Sequence, residues 1–464
     1  MFWGNQPFRM HLTTQKADVI TCSFGGVHGW NSDPWAVLAS RLVERGVVVT
    51  MSAGNGGAAG PFWGGTGSAG DYVLAVASVD PTVQAAEPLG LAFAENDGTI
   101  NSTVVAYKTL RYFGEQKVQP VIAINFTNSK PDEYYCDALP DNTPNLSGFA
   151  VLTSWEENCD SYLWMTQLKD LGVGSIITYD TKNHDLTAPW YWHWGLHVGM
   201  VEIETAAAMN DALASGINVT VEYMENAGFN VTGSDITGGY PSSFTSWGGL
   251  YDMRIKPDIA APGGNILSTF LDNGWLVLSG TSMACPYVAG VAALYISKFG
   301  GRAVHGAGFG QFMFDRIVSS GSPLTWPEDT GTPYPAPTKF IAPVPQVGNG
   351  YINAWKVLNS KTQLSWDKFE LNDTHHFSRY HSVDITNNDT IEVTYEFDLQ
   401  PAAGFDIQSP FKSSEISLFN DLVPVEMVPK VKMPSGRHLL KPGETKTAGF
   451  VGINRTEVAN SILT

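Results

Sequence analysis

One long uncharged stretch of almost wholly apolar or small residues constrains the fold of the chain most strongly. It runs from Leu278 to Ser297 and reads LSGTSMACPYVAGVAALYIS. The part from Met283 to Phe299 predicts a helix of almost wholly apolar or small residues, and such a helix is buried. The apolar part from about Ser282 to Ser297 is interrupted by Pro286 and Gly290 and is too short to cross a bilayer. We therefore expect a sizeable core around this helix.

The residues near the start of the sequence predict a parallel sheet. Ala17 to Phe24 and Val47 to Ser52 read as buried strands that end at glycine turns, and Tyr72 to Val79 reads as a third. Pro34 to Glu44 lies between the first two and has helical spacing. Apolar strands that alternate with helices indicate a parallel sheet covered by helices.

Changes in composition divide the chain into four segments. Beyond Asp80 the sequence becomes richer in polar and aromatic residues and forms a small α/β unit of its own. From Leu364 onward, short alternating runs between polar turns predict a β-sandwich. The expected segments are a first core segment, an insert, a second core segment and an incomplete β domain, at 1–85, 86–238, 239–362 and 363–464.

The charge balance excludes some partners. The net charge of −18 repels phosphate, so nucleic acid is not expected as a partner. With 43% hydrophobic and 16% charged residues the chain is globular. No membrane span, cofactor or metal is predicted, and the sequence leaves the oligomeric state open.

Eight Asn-x-Ser/Thr sequons conflict with the lack of a signal peptide at Met1 to Pro7. Sequons matter only in a secretory setting, so we expect a secreted protein whose true N-terminus is missing. They lie in the insert and the C-terminal segment. We expect several of the eight sequon asparagines to be glycosylated: Asn101, Asn125, Asn145, Asn218, Asn230, Asn372, Asn388 and Asn454.

The four cysteines fall into two groups. Cys136 and Cys159 lie in one loop-rich region of the insert, and we predict a disulfide between them, worth about 3 kcal/mol. Cys22 lies in a predicted strand and Cys285 in the apolar stretch. Both read as buried thiols.

Ser282 lies between a glycine turn and the predicted helix. Its ordinary role would be to cap free N–H groups at the start of the helix. The alternative is catalytic, because the positive end of a buried helix stabilises an attacking oxygen and the oxyanion that follows.

The segment Gly280 to Gly290 resembles the nucleophile signature of the subtilisin-like serine peptidases. Three other segments agree with this family in order and spacing. Asp18 to Gly26 resembles its substrate-edge strand, and Ser52 to Gly56 resembles the wall of the specificity pocket with the oxyanion asparagine. Arg254 to Gly263 resembles the strand and turn before the nucleophile. The resemblance implies a parallel-sheet α/β core of this family, with the N-terminal strands missing.

The resemblance also implies roles for individual residues. Ser282 would be the nucleophile, and Asn55 would donate its side-chain amide to the oxyanion beside the Ser282 N–H. A simple turn asparagine is the alternative for Asn55. The substrate would bind, partly by strand addition, at Ser23, Phe24, Gly25, Ser52, Ala53 and Gly54.

Two further regions resemble domains that accompany this family. Roughly Val118 to Tyr223 is similar to a protease-associated domain, which implies contact with substrates or partners and no chemistry. The stretch after Leu364 resembles a fibronectin type III-like domain. The implied fold is thus an α/β core with a small inserted α/β domain and a C-terminal β-sandwich.

The Asp and His motifs of the family are absent from the sequence. In the family both precede the substrate-edge strand, and only 17 residues precede Asp18 here. Asp329 to Gly331 reads as a turn and His28 as a loop residue. His193 and His197 have metal-like spacing but no third ligand, and an aromatic-rich surface is the better interpretation.

Two functions follow from these observations. The first is a secreted serine endopeptidase that hydrolyses protein or peptide substrates, here a fragment that is inactive as written. The second is a non-catalytic module that keeps the fold and binds peptides or glycoproteins.

Overall fold

A computed structural model gives the structure of most of the chain. The residues it describes are 17–95, 97–109, 117–127, 129, 137–155, 160–181, 196–224, 230–233, 237–271, 275–328, 336–365, 368–371, 376–407, 418, 422–426, 428 and 430–452.

Three strands and one helix open the core. They are β1 (Val19–Cys22), α1 (Pro34–Val43), β2 (Val48–Ser52) and β3 (Leu74–Val79). Helix α1 begins where the sequence predicts, because Asp33 Oδ1 accepts the Trp35 N–H at 2.9 Å and Pro34 takes the first helical position. β1 pairs with β2 and β2 with β3, all parallel, and every residue of β2 and β3 is buried.

The insert follows β3 and builds a sheet that closes on itself. Its elements are β4 (Val83–Ala94), β5 (Ile100–Thr109), β6 (Lys117–Ala123), β7 (Ala150–Trp155), α2 (Ser161–Asp170), β8 (Ser175–Asp180), β9 (His197–Met200), α3 (Ile203–Ala214), β10 (Asn218–Tyr223) and β11 (Asn230–Gly233). The strand order is β10-β6-β7-β8-β9-β5-β4-β11, and β4 also pairs with β10. The seven strands from β4 to β10 thus form a closed ring, and none of them has an open edge.

The chain then returns to the core and completes its sheet. The elements of this part are β12 (Ile259–Pro262), β13 (Ile266–Thr269), β14 (Trp275–Leu278), α4 (Thr281–Phe299), α5 (Arg302–His305) and α6 (Phe309–Val318). β12 pairs with β3 in parallel, which gives the order β1-β2-β3-β12. α4 packs on this sheet and on α6 through one cluster that includes Val76, Val288 and Phe314. The predicted parallel α/β core is confirmed.

Helix α4 is buried on one side only, so the prediction of a wholly buried helix is wrong. Ala284, Val288 and Ala292 face the sheet, whereas Tyr287 and Leu294 are 44% and 56% exposed. Gly290, Ala293 and Ser297 share the exposed face. We call this exposed face the apolar stripe of α4. It could not be predicted from the sequence, because its residues are nearly as apolar as those of the buried side.

The described part of the C-terminal region contains four small sheets, and two of them pack together. Its elements are β15 (Thr325–Glu328), β16 (Ala336–Ile341), α7 (Val344–Val347), α8 (Ala354–Asn359), β17 (Thr362–Leu364), β18 (Tyr380–Asn387), β19 (Val393–Tyr395), β20 (Ala403–Phe405), β21 (Pro424–Glu426), β22 (Val431–Lys432), β23 (His438–Leu440) and β24 (Thr445–Gly452). The sheet β17-β18-β24-β22 packs against β19-β23 through Val383, Ile385 and Leu440, as in a sandwich. The other two sheets are β15-β16 and β20-β21.

A buried carboxylate joins this region to the core. Asp258, at the start of β12, accepts hydrogen bonds from Lys256 Nζ and Lys368 Nζ, each at 2.7 Å, and from the Ala75 N–H at 2.8 Å. Burial alone would raise the pKa of Asp258, but the two ammonium groups outweigh it and hold this pKa below its ordinary value. The carboxylate is therefore ionised at neutral pH.

None of the described helices combines the length and the apolar composition that crossing a bilayer would require.

Candidate active site

Ser282 is the second residue of α4 and lies half-buried at the edge of the core sheet. The first N–H groups of a helix have no partner within it, and among the described residues the Ser282 N–H has no acceptor. This N–H stands at the positive end of a helix of 19 residues. Ser282 thus combines a hydroxyl with an unused donor.

Asn55 supplies a second unused donor beside it. Its Oδ1 accepts hydrogen bonds from the Thr281 N–H at 3.0 Å and from the Thr281 hydroxyl at 2.9 Å. The backbone N–H can only donate, so Oδ1 must face it and Nδ2 must point the other way. A Cβ added to Gly280 would lie 3.2 Å from Nδ2 and 3.5 Å from the Ser282 nitrogen. Both donors therefore flank one small space, which a side chain at position 280 would narrow.

The turn that carries Asn55 is fixed by the segment that follows the insert. Ser246 Oγ accepts the Gly56 N–H at 2.9 Å, and the Ser246 N–H donates to the Gly54 carbonyl at 2.9 Å. Gly54 has φ +111° and a Cβ there would lie 2.7 Å from Ser246 Oγ, so glycine is required. The Gly54 N–H donates to Thr281 Oγ1 at 3.2 Å.

Ser23 is tied to Ser282 by two reciprocal bonds. Ser282 Oγ donates to the Ser23 carbonyl at 3.1 Å, and Ser23 Oγ donates to the Ser282 carbonyl at 2.7 Å. Pro286, four residues further along α4, has no N–H for that carbonyl. The proline therefore leaves the Ser282 carbonyl free to accept a hydrogen bond from the side chain of Ser23, the residue directly after β1.

The other predicted substrate-binding residues lie around this pair. Phe24 and Gly25 are exposed directly after β1, and the Phe24 ring meets Trp35 edge to face at 5.2 Å. Ser52 and Ala53 are buried at the carboxyl end of β2 and bring Gly54 into position. Phe24 and Gly25 are thus available to a ligand at the surface, whereas Ser52 and Ala53 support the turn.

The two predicted buried thiols lie beneath the nucleophile. Cys285 Sγ contacts Thr21 Oγ1 at 3.3 Å and Thr50 Oγ1 at 3.4 Å, and both cysteines are free and buried. Burial, together with the nearby Cys285, raises the pKa of Cys22 to about 12, and burial also raises the pKa of Cys285. Both thiols stay protonated at neutral pH and do not compete with Ser282 as nucleophiles.

A base for Ser282 is not found in the described part of the chain. The hydroxyl donates to the Ser23 carbonyl, and no described imidazole contacts it. The His28 ring faces Asp33 at 3.9 Å and Tyr251, and His197 lies in β9 of the insert. His193 and Asp329 to Gly331 lie outside the described residues. Within the described ranges, no group of three His, Cys, Asp or Glu side chains could hold a metal ion.

The predicted modification sites are partly described. Exposed asparagines are found at Asn101, Asn125, Asn145, Asn218 and Asn388. Asn230 begins β11, and Asn372 and Asn454 lie outside the described residues, as do both cysteines of the predicted Cys136–Cys159 disulfide.

Sequence reasoning missed three contributors to this site: Thr281, Ser246 and Pro286. Thr281 orients Asn55 across 226 residues and Ser246 fixes the turn across 190. The spacing of residues within one segment does not indicate contacts between residues so far apart in sequence. The proline inside a predicted helix was visible, but its partner Ser23 was not.

Comparison with known proteins shows the family of the chain. Residues 8–307 match the family model described as the Subtilase family. The C5a peptidase of Streptococcus pyogenes serotype M18 is 28% identical over 305 residues, which cover 61% of this chain and 24% of that protein. The PIII-type proteinase of Lactococcus lactis subsp. cremoris is 28% identical over 309 residues, or 60% of this chain and 15% of that proteinase.

The chain thus spans a quarter or less of the length of these curated relatives. Among solved structures, the subtilisin-like protease Apa1 of an Antarctic Pseudoalteromonas is similar over 76% of this chain and 72% of its own. Its identity is 14% and its TM-score 0.36.

Proposed function

Because the chain belongs to the subtilase family, we propose that it is a secreted serine endopeptidase that cleaves protein or peptide substrates through Ser282. The observation that carries this proposal is the pair of unused donors, Asn55 Nδ2 and the Ser282 N–H. They are held on either side of one space by Thr281 and Gly280.

The chemistry of these groups is acyl transfer. Ser282 Oγ attacks the scissile carbonyl carbon, and its proton passes to an imidazole. Negative charge then develops on the carbonyl oxygen, where Asn55 Nδ2 and the Ser282 N–H receive it. The imidazole returns the proton to the leaving amine, and water later hydrolyses the acyl-serine ester.

Ser282 needs a partner for its proton in this scheme. A base must come within about 2.6–3.2 Å of the hydroxyl. We propose that the family's Asp and His motifs, which this sequence lacks, supply it, and that the chain as written is inactive.

The insert and the C-terminal region have supporting roles in this proposal. The insert would act as a protease-associated domain that contacts substrates, and the C-terminal region as a fibronectin type III-like domain. The exposed sequons favour glycosylation during secretion.

A fusion protein tests the proposal. A segment with the family's Asp and His motifs is joined before Asp18, and the fused chain is treated with a fluorophosphonate probe and with casein. We expect labelling and cleavage, and we expect both to vanish in Ser282→Ala. A fused chain that melts cooperatively but leaves Ser282 unlabelled would rule out the peptidase.

One observation favours the second candidate, a peptide-binding module. In the described structure the Ser282 hydroxyl is bonded to the Ser23 carbonyl and to no base. A module of this kind would bind peptides along Ser23 to Gly25 without cleaving them, even in the fused chain.

A further inference from the structure

An exposed aromatic surface borders the candidate site. Its members are Val27, Trp30, Trp63, Tyr251 and Met253, which are between 41% and 48% exposed. Single exposed apolar residues are normal on a protein surface, whereas exposed apolar residues that lie next to one another are a feature of binding surfaces. We call these five residues the aromatic rim.

Contacts between backbone and rings join the rim into one surface. The Trp30 and Tyr251 rings meet edge to face at 5.4 Å, and the Tyr251 N–H donates to the Gly29 carbonyl at 2.9 Å. The His28 N–H donates to the Gly64 carbonyl at 3.0 Å, next to Trp63. Three separate loops thus meet here: Trp30 and Tyr251 are in contact, and the loop that carries Trp63 is hydrogen-bonded to the loop that carries Trp30.

The rim is continuous with the groove described above. A Cβ on Gly56 would lie 3.4 Å from the Trp63 ring, and Gly56 directly follows Asn55. At the other end, Val27 follows the Ser23–Gly26 segment and forms a bridge with Gly65. A peptide that pairs with Ser23–Gly26 therefore reaches the rim without leaving the surface.

Charge near the rim selects among peptides. The Asp33 N–H donates to the Trp30 carbonyl, and Asp252 lies between two rim residues. Arg254 bonds to both Asp252 and Asp71. Three carboxylates against one guanidinium leave two negative charges in excess, within a chain of net charge −18. Acidic peptides are repelled there, and basic ones are attracted.

We infer that the aromatic rim is an exosite that holds an apolar, lysine- or arginine-bearing stretch of the substrate beyond the cleaved bond. This inference rests on the proposed function, because it names the class of peptide that the same groove takes. The Trp30 and Tyr251 rings already pack against each other in the free protein, so they lose little freedom on binding, which favours them as anchors.

Fluorescence anisotropy of the whole chain tests the inference without any need for catalysis. The probe is a short fluorescein-labelled peptide of leucine, phenylalanine and lysine. We expect binding that weakens at least about tenfold in Trp63→Ala and in Trp30→Ala, as for a buried aromatic anchor. A peptide with glutamate in place of lysine should bind at least about tenfold more weakly than the probe.

Two controls make the result decisive. Trp355 is 71% exposed on α8, the helix whose Asn359 accepts a hydrogen bond from Lys298 near the C-terminal end of α4, and Trp355→Ala should leave binding unchanged. Trp63→Phe should keep most of the affinity. Equal binding by the parent chain and both rim variants, or equal binding of the glutamate peptide, would overturn the exosite.

The experiments distinguish failure of the proposed peptidase activity from failure of the exosite. If peptide binding depends on the rim but the fused chain leaves Ser282 unlabelled, the peptidase fails and the rim remains a peptide site. If Ser282 is labelled and casein is cleaved but the rim variants bind and cleave as the parent does, the exosite fails alone.

Discussion

The two sides of Ser282 are built to different degrees. On the oxyanion side, Thr281 orients Asn55, Ser246 fixes its turn, and two donors remain unused. On the side of the hydroxyl, the described structure offers one backbone carbonyl and, further along α4, an exposed apolar stripe. Stabilisation of negative charge and transfer of the proton are therefore separable here, and each can be tested without the other.

The largest effect should come from supplying a base. We expect the chain alone to react with a fluorophosphonate at background rate, and the fused chain to react about 10⁶ times faster. That figure comes from loss of the histidine in subtilisin, itself a member of this family. Stopped-flow or gel-based labelling rates measure it. Rapid, Ser282-dependent labelling of the unfused chain would mean that its own sequence holds a base, and the contrast between the two sides would disappear.

Removal of the second donor should have the next largest effect. In the fused chain, Asn55→Ala should lower kcat by about 10²–10³ with little change in KM, again by analogy with subtilisin. The donor acts on charge that exists only in the transition state. Steady-state kinetics on a peptide substrate give both constants, with Asn218→Ala in the insert as control. An unchanged kcat would show that the oxyanion side is less complete than its geometry indicates.

The buried ion pair behind β12 should affect stability. Lys368→Met should lower the free energy of unfolding by about 1–3 kcal/mol, since Lys256 still compensates Asp258 in part. Urea denaturation measures this. Lys339→Met, which breaks an exposed pair with Glu426, is the matched control and should have no measurable effect.

The same variant has a pH signature. The folded pKa of Asp258 lies below its unfolded value of about 3.9, so its stabilisation is present above that pH and is lost as the pH falls through the folded pKa. The penalty of Lys368→Met should therefore be largest at neutral pH and shrink below about pH 4. A penalty that is independent of pH would assign the effect to packing.

Substitution of Thr281 should have the smallest effect on activity, and it tests how much the Thr281 hydroxyl contributes to orienting Asn55. Thr281→Val removes one of the two bonds that hold Asn55 Oδ1, and it leaves the Gly54 N–H without its acceptor. We expect kcat of the fused chain to fall about tenfold, with the remaining backbone bond limiting the loss. Thr281→Ser should restore it. A threefold or smaller change in both variants would mean that the backbone bond alone orients Asn55.

Features that depend on neighbouring residues could be predicted from the sequence, whereas contacts between residues far apart in the chain could not. The strands of the core and the start of α1 lie in segments whose spacing and turn residues are readable along the chain. Ser282 and Asn55 were assigned to the site because their segments resemble motifs of the family. The exposed stripe of α4 was missed because Tyr287 and Leu294 are as apolar as the buried face. The Lys368–Asp258 bond joins residues 110 apart, and nothing in either neighbourhood indicates the other.

That bond also has a consequence for the order of biosynthesis. Asp258 emerges from the ribosome 110 residues before Lys368. At translation rates of about 5–20 residues per second, the interval is roughly 6–22 s. During it, β12 and the segment that leads to Ser282 can form with Lys256 as the one ammonium partner of a carboxylate that ends fully buried. The nucleophile is thus translated well before the Asp258 carboxylate gains its second ammonium partner, and this buried cluster is complete only after Lys368 of the C-terminal region has been made.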